Sequence, residues 1–151
     1  MPPIIAFIDS EINPETGKIL GLGALDNEAT FHENSLPKFH KFIENANFIC
    51  GHNILKHDLK YLDNEGYKIK DKIFIDTLFW SPLLFPKKPY HRLLKDDKLL
   101  NDELNNPLSD AKKAKDLFYE ELAAFENFMF VFHKRKIEKN TYHTSPLAPK
   151  K

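Results

Sequence analysis

The apolar run from Pro3 to Ile8 constrains this chain more than any other feature: it is unbroken by charge and stops at Asp9-Ser10-Glu11. A continuous run of that length, with no polar alternation, predicts a central strand buried on both faces. Asn13-Pro14-Glu15-Thr16-Gly17 then reads as a turn. Lys18 to Leu25, with small Gly21 and Gly23 between its apolar residues, and Glu28 to Glu33, after Asp26-Asn27, complete a three-stranded antiparallel meander.

The period then changes. From Ser35, a good helix cap, Phe39, Phe42, Ile43 and Ala46 recur at helical spacing. Asn47 to Gly51 is expected as a fourth strand. A second helix carries Ile54, Leu55, Leu59 and Leu62 and ends near Gly66, and Lys72 to Asp76 is a fifth strand. Strands separated by helices pair in parallel through crossovers, so the expected fold class is α/β, a mixed five-stranded sheet flanked by helices.

Pro82, Pro86 and Pro89 require a helix around Leu78 and Phe79 to stop and a rigid connection to follow. His91 to Leu100 reads as a short helix. Asn105-Asn106-Pro107 places a cap and a proline at the start of a final helix from Leu108 to about Phe125. Phe128 to Phe132 is an apolar run without an evident role. Residues 1–133 are read as one domain, and 134–151, basic and proline-containing, as a disordered tail or linker.

Lys plus Arg equals Asp plus Glu, 22 of each, so any partner has to be read from local motifs rather than from bulk charge. Cys50 is the sole cysteine, which excludes an intrachain disulfide, and its apolar neighbours make it a core residue. The N-terminus lacks a basic segment ahead of its apolar run, and Asp9 interrupts that run too soon for a signal peptide or membrane span. A cytoplasmic protein is expected.

Two residues apart on a strand, Asp9 and Glu11 point to one face. Gly51-His52-Asn53-Ile54-Leu55-Lys56-His57-Asp58 takes a strand end into a helix, and such places collect function in open α/β sheets. Asp110 lies one turn into the last helix and can face the sheet. Four carboxylates brought together repel unless cations hold them, and hard oxygen ligands suit Mg2+ or Mn2+. Two such ions about 4 Å apart activate water and stabilise the leaving oxygen of a phosphodiester, which is nuclease chemistry.

The order Asp-x-Glu, Gly-His-Asn-x4-Asp, Asn-Pro-x2-Asp-Ala over Ile4 to Leu117 resembles the DEDD exonuclease superfamily, and Asp76-Thr77-Leu78 matches a further feature of it. The resemblance implies a ribonuclease-H-like fold, two divalent metal ions on Asp9, Glu11, Asp58 and Asp110, and 3'-to-5' exonuclease activity. More narrowly, Phe48 to Leu62, Asp76 to Pro86 and His91 to Ala111 look like the exonuclease domain of some bacterial RecQ-type helicase proteins. That implies DNA in repair or replication as the partner, with a RecQ-type helicase in the same or another chain.

The pattern breaks at the general base. The superfamily supplies a histidine five residues before the last acid or a tyrosine four before it, and here those positions hold Asn105 and Asn106. An amide cannot take the proton, although it can hold the attacking water, and loss of a base costs on the order of a hundred- to ten-thousandfold in rate. His91 is the candidate substitute, placed above the metals. His57 is expected to face away from Asp58, because successive helix residues point about 100° apart. His52 and Asn53 organise the middle motif and contact substrate.

Arg92 and Lys95, with Lys98 beyond them and Lys112, Lys113 and Lys115 on the last helix, are candidates to attract phosphates. Trp80 and Tyr90 are candidate base contacts. The expected activity is metal-dependent 3'-to-5' hydrolysis of single-stranded or frayed DNA, with each of the four acids replaceable without loss of the fold. The alternatives are a catalytically weak nucleic-acid-binding module serving a helicase, and oligoribonuclease-like trimming of RNA, which the sequence favours less.

Overall fold

A computed structural model describes residues 3–93 and 106–142 of the chain. In order these form β1 (Ile5–Ile12), β2 (Ile19–Leu25), β3 (Thr30–Glu33), α1 (Leu36–Ile43), β4 (Phe48–Gly51), α2 (Asp58–Asn64), β5 (Ile73–Asp76), α3 (Thr77–Leu84) and α4 (Pro107–Tyr142). The strands make one sheet in the order β3-β2-β1-β4-β5. β1, β2 and β3 are antiparallel neighbours, whereas β1 pairs with β4, and β4 with β5, in parallel. The fold is α/β, a mixed five-stranded sheet flanked by helices in a ribonuclease-H-like arrangement.

β1 lies at the centre and is buried on both faces, which accounts for its unbroken apolar run. Ala6 and Ile8 pack with Phe39 and Ile43 of α1 and Leu62 of α2 on one side. Phe7 and Cys50 pack with Ala111, Leu108 and Phe118 of α4 on the other. Full burial of a side chain such as Phe7 stabilises by roughly 1.5–3 kcal/mol, so this strand anchors both layers. Burial also pushes the Cys50 thiol up, which leaves it an inert core residue, as expected.

The differences from the sequence reading that bear on the site and the helices fall at four boundaries. β1 carries both acids, as their two-residue spacing requires, and runs on to Ile12, past the apolar stretch that ends at Ile8. α2 begins at Asp58, not near Ile54, because Asn53 has a left-handed φ of 64° and the chain turns before it can coil. α3 runs through Pro82 to Leu84, tolerating one missing hydrogen bond in a short helix. α4 continues to Tyr142, so the aromatic run and the first part of the expected disordered tail are helical. No glycine or proline interrupts the sequence from Leu108 to Tyr142, which lets the helix propagate past the sheet. Of the expected short helix, residues 91–93 are not helical and the rest lies outside the described residues. Among the described residues, no helix is long and apolar enough to cross a membrane.

One buried carboxyl opposes the packing. Glu121 of α4 is 3% exposed, and its Oε1 finds no hydrogen-bond partner among the described residues. Burial pushes its carboxyl up to about 8, against a partly offsetting attraction to Lys88 and reinforced by Asp76 and Glu120. A carboxyl raised on folding contributes fully below its ordinary value of 4.5, and the contribution is lost as pH rises towards about 8. Urea denaturation of the native chain is therefore expected to show falling stability between pH 5 and 8. Glu121→Gln, a neutral isostere, is expected to flatten that slope and to be the more stable protein at pH 8 by roughly 2–4 kcal/mol. Parallel pH profiles for the two proteins would exclude Glu121 as the source.

Candidate functional site

The parallel strands β1, β4 and β5 share one direction, and the residues at their carboxyl ends gather around a cleft of about 860 Å3. Asp9 and Glu11 reach it from β1, His52 and Asn53 from the turn after β4, Asp58 from the start of α2, and Asp110 from the first turn of α4. Segments far apart in sequence thus bring all four predicted acids to one cavity. Topology does this, because crossover connections return each parallel strand to the same edge.

Strand register explains how α4 comes so near. Asp9 pairs with Gly23 and Glu11 with Gly21, and directly opposed residues share a face, so glycines flank both carboxylates. A Cβ on Gly23 would stand 2.2 Å from the backbone nitrogen of Leu108 and 2.5 Å from the carbonyl oxygen of Pro107. At Gly21 the nearest atom would be Pro107 Cγ at 3.4 Å. Bare backbone on β2 therefore lets the first turn of α4 rest on the sheet beside Asp9. Asn106 begins that turn: its Oδ1 accepts from Ser109 N–H at 3.1 Å and its carbonyl from Asp110 N–H.

Asp58 comes from the opposite layer. It is 2% exposed, and its Oδ1 accepts the Ser10 N–H at 2.7 Å together with the Ser10 hydroxyl. Ser10 lies between the two acids of β1 and points to the other face, so strand alternation ties Asp58 to the pair. Because those bonds are buried, Asp58 is also structural, and replacing it strands a buried N–H at a cost of about 1–3 kcal/mol. The expectation that any of the four acids can be removed without touching the fold does not hold at this position.

His57 does not face away. It precedes α2 with φ −115° and ψ −84°, outside helical geometry, so the helical rotation per residue does not apply to it. Its Nδ1 stands 3.8 Å from Asp58 Oδ2, and the neighbouring carboxylate raises its pKa, opposed by partial burial. The cleft thus holds a half-exposed imidazole beside Asp58, its pKa raised by that carboxylate.

The His52 pKa moves the other way. Burial lowers its pKa although Asp76, Asp110 and Asp58 pull it upward, so the neutral ring is favoured. Thr77 Oγ1 lies 2.8 Å from His52 Nδ1 and donates its own proton to the Gly51 carbonyl at 3.4 Å. That contact holds the ring through Nδ1, leaving Nε2 as its other polar atom. That buried Nε2 finds no partner among the described residues.

Asp76 fixes the turn that carries His52 and Asn53. Its carboxylate accepts Asn53 N–H at 2.9 Å, Leu55 N–H at 3.1 Å and Leu78 N–H at 3.0 Å, bracing the turn while capping α3. Buried at 2% exposure, it holds both chain segments beside the cleft. Sequence reasoning does not find this role, nor those of Ser10 and Gly23. The signals that point to them are an acid at a strand end before Thr77, and a glycine opposite each acid of β1.

Arg92 lines the cleft, whereas His91 does not: its Nδ1 lies 2.9 Å from Ser81 Oγ and the ring faces a neighbouring cavity. His91 therefore does not stand above the acids, where the candidate base is expected. Asn105 and Lys95 lie outside the described residues, as does Lys98. Trp80 packs edge-on against Phe125 of α4 at 5.9 Å and serves helix packing. Lys113 stands 3.8 Å from Asp110, and Lys115 lies over the Phe7 ring.

An all-oxygen donor set from Asp9, Glu11, Asp58 and Asp110 suits a hard divalent cation. Among the described residues, however, no three acid, imidazole or thiol groups converge closely enough to hold one as they stand. Coordination there would require side-chain rotation within the cleft, towards one another. Asp9, Glu11 and Asp110 are all partly exposed, which leaves them room to turn. No family model matches the sequence, and no curated protein matches it.

Proposed function

We propose that this chain is a metal-dependent 3'-to-5' exonuclease acting on single-stranded or frayed DNA ends. The observation that carries the reading is the shared cleft, in which Asp9, Glu11, Asp58 and Asp110 from three chain segments meet His52, Asn53 and Arg92. Asp9, Glu11, Asp58 and Asp110 would hold two divalent ions, Mg2+ or Mn2+, which when bound supply an activated water and neutralise charge on the leaving oxygen. Arg92 would draw in the phosphate. His52 and Asn53, fixed by Asp76, would position the terminal nucleotide. Frayed ends in repair or replication are the natural source of such a substrate, and a RecQ-type helicase is the partner that would generate them.

The test is release of nucleotides from 3'-labelled and 5'-labelled single-stranded DNA, with manganese and with EDTA. Manganese-dependent shortening from the 3' end is the expected result. Cleavage insensitive to EDTA, or internal cleavage, would overturn it. Running an RNA of the same sequence alongside separates this reading from RNA trimming, which predicts faster loss of the ribose substrate.

Two observations favour a second reading, a nucleic-acid-binding module with little or no catalysis. Asn106 caps α4 through its Oδ1, and His91 points into another cavity, so neither serves as proton acceptor at the acids. Retention of the labelled strand without shortening in manganese is the result that this second reading requires.

A further inference from the structure

A second cavity, of about 520 Å3, adjoins the acidic cleft, and Arg92 and Leu93 line both. One wall is the connection after α3, with Lys88, Tyr90 and His91, and the other is α4 from Lys113 to Glu120. The volume is within the range of small-ligand sites. Resting on the exonuclease reading, we infer that this cavity seats the nucleotide preceding the one being removed, so that the strand leaves the acids across Arg92.

Charge and shape both support a strand here. Among the described lining residues three cations, Lys88, Arg92 and Lys113, face two carboxylates, Asp116 and Glu120. Lys113 is engaged near Asp110, which leaves Arg92 and Lys88 for a phosphate. Lys88 lies 3.8 Å from Glu120, with both side chains largely exposed, and such a pair contributes little, so a phosphate can displace it. Stacking of Lys88 over the Phe85 ring, 4.2 Å from its centroid, holds the stem in place meanwhile.

Tyr90 supplies the base contact. It is 78% exposed, and it follows Pro89 in a connection that also contains Pro86. Prolines restrict that backbone, and the Ser81–His91 contact pins its far end to α3, so the ring is presented with little freedom left to lose. An exposed ring beside two cations, continuous with a phosphodiester-sized cleft, matches the way single strands are bound without sequence preference.

The experiment measures binding by anisotropy and calorimetry for thymidine monophosphate and for an eight-nucleotide oligothymidylate, with calcium replacing manganese. Lys88→Ala and Tyr90→Ala are each expected to weaken the oligonucleotide roughly tenfold and to leave the mononucleotide unchanged. Lys88→Ala should also lower the salt dependence of oligonucleotide binding by about one phosphate contact. Oligonucleotide binding equal to the native chain's in both variants, or equal loss of both ligands, would overturn the inference while leaving the exonuclease reading standing. Failure of the native chain to bind either ligand would overturn both. Tyr90 is largely exposed, so an unchanged thermal midpoint is expected for its variant and serves as the folding control.

Discussion

Asp9→Ala is expected to lower manganese-dependent nucleotide release by more than about a hundredfold, with DNA binding and thermal stability close to those of the native chain. The size follows from position. Removing a group that merely supports a metal ligand costs about 10- to 100-fold, so removing a proposed ligand such as Asp9 has to cost more. A hundredfold loss corresponds to about 2.7 kcal/mol of lost transition-state stabilisation. Asp9 is a cleaner test than Asp58, because Asp58 carries buried hydrogen bonds to Ser10 and its removal weakens the fold as well. Asp9→Asn keeps the size and removes the charge, so equal loss in both variants would assign the effect to charge. Full activity in Asp9→Ala would remove the acidic cleft from the mechanism, whatever other nuclease activity the protein displayed.

Much of this site is legible in the sequence. The two-residue spacing of Asp9 and Glu11, the strand end at Gly51 and the proline at position 107 are local signals, and each sets the geometry of its own segment. Spacing is informative there because the periods of strand and helix decide which way a side chain points. Legibility fails where tertiary contacts override the local period. Asp76 takes the Asn53 and Leu55 N–H groups, so the turn continues to His57 and α2 starts late, which brings His57 to Asp58 against the helical expectation. His91 is likewise drawn to Ser81 by an interaction across ten residues that no periodicity encodes. The full length of α4 is hidden for a different reason: its second half exposes Phe128, Phe130 and Phe132, so no single buried face marks it as a helix.

The glycine opposite Asp9 is where fold and site can be separated by measurement. Gly23→Ala is expected to destabilise the protein by about 3 kcal/mol and to reduce nucleotide release with it, because the new methyl would meet Pro107 and Leu108 backbone atoms at 2.2–2.5 Å. Backbone at a helix start cannot turn aside as a side chain can, so the first turn of α4 has to lift from the sheet. Asp110 lifts with it. Alanine is compatible with the strand conformation at this position, since Gly23 is not among the residues of positive φ, so the penalty comes from contact alone. Gly21→Ala is the matched control: its methyl would stand 3.4 Å from Pro107 Cγ, an ordinary contact, and a change below about 1 kcal/mol is expected. Against a total stability of about 5–15 kcal/mol the difference between the two variants is readily resolved by urea denaturation. If both alanines were tolerated equally, close seating of α4 on β2 would not be what holds Asp110 beside Asp9.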